Sequence, residues 1–166
     1  MTRKKRLKRA KLRLMRFFLI LLLIGVMFMI FGFSAQDGEN SGKLSLKITK
    51  FIGERLHLFD VNDAAVLSRW HHYVRKAGHF CEYGLLGVIA SLFLMTYDIS
   101  RFLQFFISAQ LCFLYACTDE IHQLSVAGRG GQFRDVLIDT SGALTGCLFI
   151  FLLAALLFPR RKQKHS

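Results

Sequence analysis

The segment Arg75-Lys76-Ala77-Gly78-His79-Phe80-Cys81-Glu82-Tyr83 sets a guanidinium, an ammonium, an imidazole and a carboxylate at the mouth of an apolar stretch long enough to cross a bilayer. A carboxylate or ammonium at mid-bilayer costs about 2.5–3.5 kcal/mol even on the lenient insertion scale, so such groups are expected to be paired and functional. Two further segment ends carry residues of the same kind, Asp119-Glu120-Ile121-His122-Gln123 and Asp135 to Asp139. One shared site explains three charged segment ends more economically than three separate features.

Four chemistries fit these residues. In an enzyme, His79 or His122 would be the general base, oriented by Glu82 or Asp119, with Lys76 and Arg129 stabilising developing negative charge. In an anion site, Lys76, Arg129 and the glycine-rich loop from Ser125 to Arg134 would grip a phosphate, with Arg75, Tyr83, Glu120, Gln123, Asp135 and Asp139 among the ligand-binding residues. In a metal site, His79-x-x-Glu82 and Asp119-x-x-His122 each supply a histidine and a carboxylate at the spacing used in helical bundles. The cations Lys76 and Arg129 oppose that reading, so a divalent metal is not favoured, and the residues name no cofactor. The fourth reading is a salt-bridge network that ties helix ends together.

The elements that must position these groups follow from composition. The chain has 166 residues, 53% of them apolar, with 17 Phe and the single Pro159 near its end. Its apolar residues fall in blocks of the length that a hydrocarbon layer of about 30 Å selects. The blocks are 17–33, 77–97, 102–118 and 136–158, flanked by basic tails at 1–16 and 159–166. The expected fold is all-α: a polytopic membrane protein with one four-helix domain over 17–158. Block 17–33 exceeds the usual apolar core of a cleaved signal peptide, about 7–15 residues, and is expected to be an uncleaved anchor.

The net charge of +12 would point to nucleic acid if it were evenly spread. Instead, fourteen basic residues lie in the two tails and at Arg101, facing only Asp98, while the other side holds nine basic residues and ten acids. The positive-inside rule then places both termini and the 98–101 turn in the cytoplasm, and all three charged motifs on the opposite side. The basic tails become a topology signal and an attraction for anionic headgroups, and no nucleic-acid partner is expected.

Between the first two blocks, Leu44, Ile48, Phe51, Ile52, Leu56 and Phe59 recur at helical spacing against Lys43, Lys47, Lys50 and Glu54. This predicts an amphipathic helix in the first extracytoplasmic loop, capped by Asn40 or Ser41, lying at the interface or across the bundle as a lid. A second helix is expected to start after Asn62 and to run through Trp70 and Tyr73 into the second span. His72, Lys76, His79 and Tyr83 then form one stripe, with Glu82 at its margin. Asp119, His122 and Gln123 share a face, as do Asp135 and Asp139. Small residues at Gly84, Gly87 and Ser91, at Ser108, Cys112 and Ala116, and at Gly142 and Gly146 predict close helix packing. The four cysteines lack paired metal spacing and read as packing residues.

Taken together, Arg75-Lys76-x-x-His79-x-x-Glu82-Tyr83, Asp119-Glu120-x-His122-Gln123, Gly128-Arg129 and Asp135-x-x-x-Asp139-x-x-Gly142 resemble the VanZ-like family of small bacterial membrane proteins. Ser34-x-Gln36 and Ser41 resemble its pattern too, whereas Ala127 stands where that pattern has proline. The resemblance implies a cell-envelope protein of the bacterial membrane, in a family associated with resistance to the glycopeptide teicoplanin; it implies no particular reaction. Together with the residues it leads to an outward-facing polar pocket that binds or modifies an anionic, phosphate-bearing envelope component, its partner being a membrane lipid or lipid-linked precursor. The alternative is a non-catalytic binding or assembly factor. Neither a Gly-x-Ser-x-Gly elbow nor a Walker-type loop is present, which disfavours serine-esterase and ATP-driven roles.

Overall fold

A computed structural model describes residues 2–36, 38–128 and 130–157, with backbone alone for 38–41. Among them are five helices and no strand: α1 (Arg3–Ser34), α2 (Gly38–Leu56), α3 (Ala64–Leu94), α4 (Arg101–Gln123) and α5 (Phe133–Leu157). α1, α3, α4 and α5 are each long and apolar enough to cross a membrane. The chain is a multi-pass, all-α membrane protein, and α2 is the amphipathic helix expected between its first two spans.

Helix ends differ from the apolar blocks for local reasons. α1 extends back to Arg3 because lysine, arginine and leucine are good helix formers and no breaker interrupts them. Its 32 residues span about 48 Å, so the basic turns project well beyond a hydrocarbon layer. α2 begins at Gly38, which puts Asn40 and Ser41 in its first turns instead of at its cap. α3 starts where Asp63 accepts hydrogen bonds from the amides of Ala65 and Val66. It stops at Leu94, three residues before the expected Tyr97, and Arg16 satisfies the end. The Arg16 guanidinium donates to the Thr96 carbonyl at 2.7 Å and its hydroxyl at 3.1 Å, and lies 4.0 Å from the Tyr97 ring centroid. Ser100 caps α4 through the Leu103 amide. The tail 159–166 lies outside the described residues.

The body of the bundle is built on α3 against α5. A Cβ on Gly142 would collide with the Phe80 carbonyl, one on Gly146 with the Gly84 carbonyl, and one on Gly87 with the Ala143 carbonyl. The two backbones therefore touch, which is what small residues four apart permit. Ser108, Cys112 and Ala116 of α4 are wholly buried, and Leu23, Val26 and Ile30 of α1 join Tyr83, Leu86 and Ile89 of α3 in the core. The outer surface is apolar, with Phe28, Phe102, Leu148 and Leu156 exposed, as lipid contact requires.

Candidate functional site

Close packing of α3 on α5 decides which ionisable groups meet. The Lys76 ammonium pairs with the Asp135 carboxylate, and one turn deeper His79 Nδ1 stands 3.8 Å from Asp139 Oδ1. Both pairs bridge α3 and α5 at the same end of the bundle. Asp139 is 1% exposed, and neither of its oxygens accepts a hydrogen bond among the described residues. It shares that interior with Asp119, Glu120 and Asp135, and the Tyr83 hydroxyl lies in the field of both Asp119 and Asp139.

α4 supplies a second set of ties. Ser34 donates to Asp119 Oδ2 at 2.7 Å, and the Gln123 amide donates to the same oxygen at 3.2 Å. All three side chains are buried, so the last turn of α1 is bonded to the last turn of α4. The neighbouring Glu120 accepts the Gln132 amide at 2.9 Å, and Gly131 lies so close to the Glu120 carbonyl that a Cβ there would approach it to 2.6 Å. The chain reverses at Gly128, whose φ of 72° suits glycine. Glu120 thereby fixes the returning α4–α5 loop at the mouth of the site.

These ties enclose a cavity of about 130 Å³, lined by His72, Arg75, Lys76 and His79 of α3, by Gln123, by Gly128, Gly130 and Gln132 of the loop, and by Asp135. Arg75, Lys76, His79, Gln123 and Asp135 thus line one cavity, with Tyr83, Asp119, Glu120 and Asp139 forming the buried layer behind and beside them. The charged rim is set over an acidic floor.

Three expectations change. Glu82, proposed to orient His79, faces a neighbouring groove, and Asp139 of the adjacent helix stands beside the imidazole in its place. His122 does not share Asp119's partners: its ring stacks on Phe31 at 4.2 Å between centroids, because the interior side of that turn is taken by Asp119 and Gln123. The metal alternative built on His79, Glu82, Asp119 and His122 is not assembled: no three or more His, Cys, Asp or Glu side chains among the described residues are arranged to hold a metal ion. Arg129 lies outside the described residues. Sequence reasoning underweighted Ser34, a lone hydroxyl ending an apolar run, and overlooked Gln132; a polar residue at the last turn of a span is the signal for the first, and nothing in the spacing marks the second.

Comparison with known proteins agrees with this architecture. No curated protein and no solved structure matches the chain. The family model described as VanZ/LLP1 matches residues 18–155, which reaches into all four spans and takes in every residue of the cavity. A match over that extent shows that the chain belongs to the VanZ/LLP1 family.

Proposed function

We propose that the cavity bounded by α3, α5 and the α4–α5 loop binds an anionic, phosphate-bearing component of the cell envelope, and that it opens on the extracytoplasmic side. The observation that carries this reading is Arg75. Its half-buried side chain lines the cavity and makes no hydrogen bond or ion pair with a described residue, whereas Lys76 beside it is already paired with Asp135. A guanidinium held in a polar cavity without a partner among the described residues is matched by a phosphate or carboxylate, whose oxygens accept its forked donors. Gln132 and Gln123 add neutral polar groups at the same opening.

The charge distribution supports this orientation. The basic turns of α1 and Arg101 cluster at the end of the bundle opposite the cavity, and the positive-inside rule assigns that end to the cytoplasm. Family membership supports a role in how the envelope meets glycopeptides such as teicoplanin. His79 is the residue positioned for general-base work on a bound component, with Asp139 stabilising the imidazolium.

A second reading, a non-catalytic assembly factor, is favoured by Lys76–Asp135 and Ser34–Asp119–Gln123, which join helices and can be purely structural. Purified protein incubated with a panel of envelope lipids separates the two. Retention of a phosphate-bearing lipid supports the site, and its conversion, lost in His79→Ala, adds catalysis. Failure to retain any anionic lipid contradicts the reading.

A further inference from the structure

A second cavity adjoins the polar one. It measures about 250 Å³ and runs between the end of α1, the face of α2 and α3. Phe33, Leu44, Ile48 and Val74 give it apolar walls, while Arg75 and His79 line both this groove and the polar cavity. Helical geometry makes the seam unavoidable. At about 100° per residue, Arg75 and His79 lie within one narrow stripe of α3, with His72 and Lys76 on one flank and Val74, Gly78 and Glu82 on the other. One stripe therefore serves a polar compartment and an apolar one together.

The sizes of the two compartments limit what fits. The polar cavity, at about 130 Å³, has room for a phosphate. The groove is open on its α2 side, where Leu44 and Ile48 remain 51% and 45% exposed. α2 packs chiefly on α3, pinned there by the 2.6 Å contact of Ser45 Oγ with His71 Nε2.

Resting on the anion reading above, we propose that the ligand is an amphiphile, a phosphate on a long apolar chain, with the phosphate at Arg75 and the first part of the chain in the groove between α1 and α2. The ligand enters sideways from the bilayer past Leu44 and Ile48, and α2 is the wall it passes.

The test uses full-length protein in phosphatidylcholine nanodiscs containing hexadecyl phosphate. A photo-crosslinking residue is placed at Ile48, at Leu44 in a second variant, and at lipid-facing Leu148 as a control. Capture of hexadecyl phosphate at Ile48 or Leu44 is expected to exceed capture of hexadecanol and to fall about tenfold in Arg75→Ala, with capture at Leu148 unchanged. If capture at Ile48 and Leu44 is indifferent to Arg75 while inorganic phosphate still binds in an Arg75-dependent way, the groove proposal is overturned and the anion site stands. If neither phosphate binds in an Arg75-dependent way, the anion reading falls with it.

Discussion

His79 Nδ1 and Asp139 Oδ1 lie 3.8 Å apart across the α3–α5 contact, the imidazole at the cavity wall and the carboxylate sealed behind it. The separation is too long for a hydrogen bond, so in the proposed function the enclosed acid acts on the imidazole through charge. If the pocket turns over a bound lipid, Asp139→Asn should lower the rate by about 10²-fold or more, within the range ascribed to general acid–base groups, while leaving lipid retention within about twofold. Single-turnover assays with parallel binding measurements check this. Equal losses of rate and retention would assign the pair to binding.

Arg75 and Lys76 are neighbours with opposite expected phenotypes. Lys76→Ala leaves Asp135 without its cation and should lower the midpoint of thermal unfolding in detergent, whereas Arg75→Ala removes no described bond and should leave it within a degree or so. Exchanging the partners, Lys76→Asp with Asp135→Lys, should recover much of the lost stability. A fall in midpoint for Arg75→Ala as large as for Lys76→Ala would mean that Arg75 is structural.

The Ser34–Asp119–Gln123 cluster predicts a modest energetic effect. Hydrogen bonds between transmembrane helices average about 0.6 kcal/mol and reach about 1.7, so Ser34→Ala should destabilise by that order. Asp119→Asn keeps an acceptor for Ser34 and should cost less than Asp119→Leu, which leaves both Ser34 and Gln123 without their shared oxygen. Equilibrium unfolding in mixed micelles measures the series, and an unchanged Ser34→Ala would show that the bond adds no net stability.

The glycine contacts predict something harsher. Gly142→Leu forces α5 away from the Phe80 backbone and should separate Lys76 from Asp135 and His79 from Asp139 together. A zero-length amide crosslink formed by carbodiimide between the paired Lys76 and Asp135 should be efficient in the parent chain and lost in Gly142→Leu. Persistence of that crosslink would mean the pairs do not depend on close backbone approach.

Much of this architecture is legible in the sequence because lipid imposes it. Four apolar blocks, one amphipathic helix and the stripe His72–Lys76–His79 each follow from helix period and bilayer thickness, and the structure agrees with all three. What resists reading is rotation of one helix about another. Spacing alone pairs His79 with Glu82 and Asp119 with His122, since residues three apart on one helix are neighbours. The packing of α5 on α3 substitutes Asp139 for Glu82, and the interior turn of α4 gives Asp119 to Ser34 and Gln123 instead. Such partners depend on contacts between segments remote in the chain, and no local period encodes them. The start of α1 at Arg3 was hidden for a different reason, because charge masks helix propensity when spans are sought by hydropathy.

The polarity of the bundle in the membrane yields a separate test. In a cysteine-free background, Gln132→Cys at the cavity mouth should react with a membrane-impermeant maleimide in intact spheroplasts, and a cysteine at Arg101 only after lysis. The reverse pattern would turn the pocket toward the cytosol.

Titration of a phosphate-bearing lipid against wild type, Arg75→Ala and Arg134→Ala bears most directly on the anion site. Arg134 is an exposed cation at the same end of the bundle that does not line the cavity, so it controls for general charge. Arg75→Ala should weaken binding about tenfold or more, the worth of one charge-assisted contact, and Arg134→Ala by less than about twofold. Equal effects of the two substitutions, or none from either, would contradict a built anion site at Arg75.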